Sequence, residues 1–87
     1  MDKKRLVEQL EERNSELAKE ILLNESAVYE AEKEINKIDT DLLDHPSIQN
    51  HVNSLKLLIE RIEVKNGLYK KEIFENDIRI KKLSHDK

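Results

Sequence analysis

The groups in this chain best equipped for chemistry are its histidines, a surplus of carboxylates and a few clustered basic residues. His45 and His51 lie six residues apart with Asp41 and Asp44 close by in sequence, a nitrogen and oxygen donor set of the kind that divalent cations accept. The spacing does not match the i, i+4 pair that aims two imidazoles from one helical face. Solvated turn residues are therefore the expectation, and no metal is assigned. The carboxylates follow no arrangement that would set one pKa against another. There is no glycine-rich phosphate loop, no HExxH and no nucleophile elbow. The reading is a non-enzymatic protein with no catalytic residues and no cofactor.

Asparagine offers another kind of chemistry, since each side-chain amide both donates and accepts hydrogen bonds. Asn14, Asn24, Asn66 and Asn76 each interrupt an apolar stripe. The residue numbers of Asn14 and Asn76 sum to 90, and so do those of Asn24 and Asn66. A chain folded back near residue 45 brings the members of each pair face to face. Buried asparagine in a coiled-coil seam costs stability and fixes register, so these four are read as a register-setting core.

The elements that must position them follow from the apolar spacing. Val7, Leu10, Asn14, Leu17, Ile21, Asn24, Val28, Ala31, Ile35, Ile38 and Leu42 alternate steps of three and four. Ile48, Val52, Leu55, Ile59, Ile62, Asn66, Tyr69, Ile73, Asn76, Ile80 and Leu83 do the same. A sustained 3.5-residue period marks a coiled-coil helix. The phase slips between Leu42 and Ile48, and Pro46 lies in the gap, where proline suits the first turn of a new helix. The expected fold is all-α, an antiparallel coiled-coil hairpin forming one domain over 1–87. Its first helix spans about 3–43, its turn about 43–46 and its second helix about 47–83, with Asp44 or His45 as the second N-cap.

Outside the seam, Leu22, Leu23, Tyr29, Leu57, Leu58, Val64, Leu68, Phe74 and Ile78 are expected to form an exposed apolar stripe on one side of the two helices. So much exposed apolar surface predicts an oligomer or partner interface. The simplest solution is a homodimer that closes a four-helix bundle by two-fold symmetry. Flanking charges taken level across the seam give mixed results. Glu32–Lys56 and Asp41–His51 are complementary, whereas Glu11–Asp77, Glu25–Glu63, Arg13–Arg79 and Glu20–Glu72 are like-charged.

Composition narrows the class. Charged residues form 40% of the 87 residues against 37% hydrophobic, which favours a long helical rod over a globular α/β core. With no cysteine, disulfides and thiolate metal sites are excluded, consistent with a reducing compartment. No apolar run approaches the ~18–20 residues of a membrane span, and no signal-peptide pattern opens the chain, so a cytoplasmic protein without a membrane role is expected. The opening Met and polar tail fit a complete small protein.

The net charge of −3 gives no global pull toward nucleic acid. Folding back does gather Lys3, Lys4, Arg5, Arg79, Lys81, Lys82 and Lys87 at one tip, the first six as candidate phosphate contacts. It leaves the turn end acidic, with Glu30, Glu32, Glu34, Asp39, Asp41 and Asp44 against Lys33 and Lys37. No aromatic residue interleaves them for base stacking. The function expected is a small regulatory, adaptor or assembly protein that binds another protein. The alternatives are a nucleic-acid-binding bundle using that basic tip, and a chaperone for a partner's amphipathic helix.

Overall fold

A computed structural model describes residues 2–85. They form two long helices, α1 (Lys3–Asn36) and α2 (Pro46–His85), joined by a segment holding a short 3₁₀ turn at Thr40–Leu42. No strand occurs among the described residues. The helices pack along each other in opposite directions as a hairpin measuring 65 × 16 × 14 Å.

Each helix end has a local cause. Asp2 caps α1, its side chain accepting from the Lys4 amide at 3.1 Å and its carbonyl from the Leu6 amide at 3.2 Å. Pro46 opens α2, where its missing N–H has no helical partner to lose. The carbonyl of His45 accepts from the Gln49 amide at 2.9 Å, so His45 rather than Asp44 holds the N-cap place.

The first helix stops well short of the expected residue 43. Lys37 closes it, and Asp39 then turns extended, at φ −63° and ψ 132°. The Asp39 carboxylate accepts from the Asp41 amide at 3.2 Å, capping the 3₁₀ turn. Aspartate and threonine are poor helix formers because their short polar side chains compete for backbone groups. At Asp39–Thr40–Asp41 that local competition overrides the apolar period. The seam loses Leu42, which is 50% exposed. The second helix runs two residues past its expected end, within the usual fraying of a helix terminus.

Burial follows the three–four spacing elsewhere. Leu10, Leu17, Ile21, Ala31 and Val52 are buried. Val7, Val28, Ile35, Ile38, Ile48, Leu55, Ile59, Ile62, Tyr69, Ile73, Ile80 and Leu83 are half-buried. A two-helix hairpin gives each seam residue only one facing neighbour helix, and that is why so few side chains are fully covered.

Candidate functional site

The seam's polar positions meet as mirrored pairs. Asn24 Nδ2 donates to Asn66 Oδ1 at 2.8 Å, and Asn66 Nδ2 donates to the Ile21 carbonyl at 3.3 Å. Asn76 Nδ2 donates to Asn14 Oδ1 at 2.9 Å, and Asn14 Nδ2 donates to Asp77 Oδ1 at 2.9 Å. Asn66 and Asn76 are 7% and 8% exposed, the two buried polar residues of the hairpin among the described residues. No buried side-chain nitrogen or oxygen lacks a partner among those residues, as a polar layer in an apolar seam requires.

The layer at Asn14 and Asn76 continues outward to the surface. Arg13 Nε donates to Glu72 Oε2 at 2.8 Å and Arg13 Nη2 to Glu72 Oε1 at 3.3 Å, a bidentate pair. Hydrogen bonding from Arg13 holds the Glu72 carboxyl below its ordinary range, with some opposing desolvation and further help from the Arg13 charge and the Asn76 amide. The same hydrogen bond and charge raise the Arg13 guanidinium. Arg13, Glu72 and Asp77 thus complete a network of which only the asparagines stand out in the sequence.

The level flank pairing expected from the sequence gives way to a diagonal one. Arg13 reaches Glu72 instead of Arg79, one heptad along α2. His51 Nε2 lies 3.1 Å from Glu34 Oε1 instead of meeting Asp41, one heptad along α1. Long flanking side chains span that diagonal and so exchange a like-charged or misplaced neighbour for an opposite charge. Asp41 lies in the 3₁₀ turn and not on α1, off the helical face that the level pairing assumes.

At the turn, His45 Nδ1 is 2.8 Å from Ser47 Oγ. Among the described residues no group of three histidine or carboxylate side chains could hold a metal ion, and no helix is long and apolar enough to cross a membrane.

At the opposite tip, Lys3, Lys4, Val7, Glu8 and Glu11 of α1 share a shallow groove with Leu83 and Ser84 of α2. The termini of the two helices therefore meet. Glu8 and Glu11 lie among the bases, so the tip carries mixed charge. Lys4, Arg5, Arg79, Lys81 and Lys82 are exposed there. Lys87 lies outside the described residues.

All nine outer apolar residues are exposed, from 40% at Ile78 to 66% at Leu22. They do not form one stripe. Leu22 and Leu23 are consecutive, as are Leu57 and Leu58, and successive helical residues point about 100° apart. By heptad position Leu22, Tyr29 and Phe74 lie toward one broad face of the hairpin. Leu23, Leu58 and Leu68 lie toward the other. Leu57, Val64 and Ile78 run down the outer back of α2. No protein-family model matches the chain, and neither a curated protein nor a solved structure does.

Proposed function

We propose that this chain is a non-enzymatic interaction module. It associates with itself through its outer apolar surface into a four-helix bundle and binds another protein as a small adaptor, regulator or assembly factor. The observation that carries this reading is the amount of apolar surface left uncovered. The hairpin exposes 7004 Å², whereas a compact monomer of 10.3 kDa exposes roughly 5,400 Å². An elongated shape accounts for part of that excess, but not for the nine outer apolar side chains in water, with Leu42 and Leu43 exposed beside them at the turn. A specific interface covers about 800 Å² per partner, well within the surface on offer. In this reading the asparagine layers fix the coiled-coil register of each hairpin, and the coverage of its outer faces supplies what the narrow seam lacks.

The test is absolute mass by light scattering on a size-exclusion column. The expected result is twice 10.3 kDa, with a melting midpoint that rises with protein concentration. A mass of one chain with a concentration-independent midpoint overturns self-association.

A further inference from the structure

We propose that two copies of the hairpin pair through the face that carries Gly67, each turn lying beside the other's terminal tip. This inference rests on the self-association reading above and adds the face and the direction. Gly67 is the starting point. It sits inside α2, where glycine weakens a helix by about 1 kcal/mol relative to alanine. A Cβ there would meet nothing within 4 Å, so the hairpin itself does not need the glycine. Glu25, Val28, Glu63, Asn66 and Lys70 surround it in a shallow depression open to solvent. Exposed Leu22, Tyr29 and Phe74 lie toward the same face. A missing side chain in an open depression, on a face that also exposes large apolar residues, leaves room for close approach by a second backbone.

The position of Gly67 along the rod matters as much. In the register fixed by the asparagine pairs it is level with Leu23, near the midpoint between Lys3 and the turn. A two-fold axis crossing the rod there lays two copies in full overlap. With extents of 65 and 16 Å, the broad face measures roughly 1,000 Å², enough for a stable interface.

Charge decides the direction. Lys56, Glu63, Lys70 and Asp77 recur every seven residues on the flank of this face, with alternating sign, and all four are exposed. A two-fold axis between Asn66 and Gly67, perpendicular to the rod, sets Glu63 beside Lys70 of the second copy and Lys56 beside its Asp77. Both pairs are complementary, and each occurs twice by symmetry. An axis along the rod instead sets Glu63 near Glu25 and Asp77 near Glu11, both repulsive, against one complementary pair, Lys56 near Glu32. At the tips of the antiparallel pair, Asp39, Asp41 and Asp44 of the turn lie beside Lys3, Lys4 and Arg5, the basic part of the mixed-charge terminal end.

The chain has no cysteine, so a spin label on Asn50→Cys, an exposed position near the start of α2, reports one position only. Across an antiparallel dimer the two labels stand about 50 Å apart at 1.5 Å per residue. Across a parallel one they stand under about 30 Å apart, given helix spacings of 8–10 Å. In unlabelled protein, Glu63→Lys weakens dimerisation about tenfold by reversing two symmetric pairs, and Glu63→Lys with Lys70→Glu restores it. A long distance together with that rescue supports the proposal. A dimeric mass with a short distance, or a double variant no better than the single, overturns the direction while leaving self-association standing. A single-chain mass with no dipolar signal removes both.

Discussion

Asn76 shows how one side chain can be costly and useful at once. Its amide is buried, donates to Asn14 and helps hold the Glu72 carboxyl low. Changing Asn76→Ile alone leaves the Asn14 carbonyl oxygen without its donor, and a loss of about 1–3 kcal/mol is expected. Changing Asn14→Ile together with Asn76→Ile removes both polar partners and extends the apolar seam, because Glu72 and Asp77 keep access to water. That double variant is expected to gain about 1–2 kcal/mol while broadening amide resonances as register loosens. A double variant that melts below the parent would show the layer to be a net stabilising contact, and the register role would fall.

Glu72 carries a pH signature of its own. Its folded pKa is lowered, chiefly by the hydrogen bond from Arg13. The stability it contributes is therefore fully present above its unfolded value, about 4.3, and is lost as pH falls through the lower folded value. Denaturant midpoints compared between the parent and Glu72→Gln should converge in acid and separate near neutrality. Both side chains are substantially exposed, so 1 M salt should shrink the separation.

At the scale of the elements, the break after Asn36 is where local chemistry outweighs pattern. The Asp39 carboxylate is the cap that holds the 3₁₀ turn, and Asp39→Ala is expected to cost about 1 kcal/mol in chemical denaturation. No change in the midpoint would mean that the turn is held by Leu42, Leu43 and the flanking helix ends at Lys37 and Pro46 instead. The helical period, the mirrored asparagines and Pro46 were legible in the sequence because each is a strong signal repeated along a stripe. The early end of α1 was not, since the apolar spacing runs through Ile38 and Leu42 while Asp39–Thr40–Asp41 quietly disfavours helix. Nor was the Arg13–Glu72 pair, because level pairing hides a diagonal reach of one heptad. The nine outer residues are exposed as the sequence suggests. Their division over two faces and a back follows only when consecutive leucines are placed on a wheel.

For the whole molecule, the hairpin topology grades its contacts by separation along the chain. Beside the turn, His51 and Glu34 meet across 17 residues. Farther out, Asn24 and Asn66 meet across 42, and Asn14 and Asn76 across 62. The entropy of closing a loop rises with its length, so docking is expected to start near the turn and run outward like a zipper. Val52→Ala, close to the turn, should then slow folding, whereas Asn76→Ala, near the open end, should chiefly speed unfolding. Stopped-flow chevrons of the two variants separate these outcomes, and equal partition at both sites would exclude a zipper. Alignment would then be chosen first by the apolar stretch nearest the turn, which contains no asparagine pair, and checked only afterwards by Asn24–Asn66 and Asn14–Asn76. The polar layers would act as proofreaders, leaving a misaligned hairpin with unpaired amides and a short lifetime.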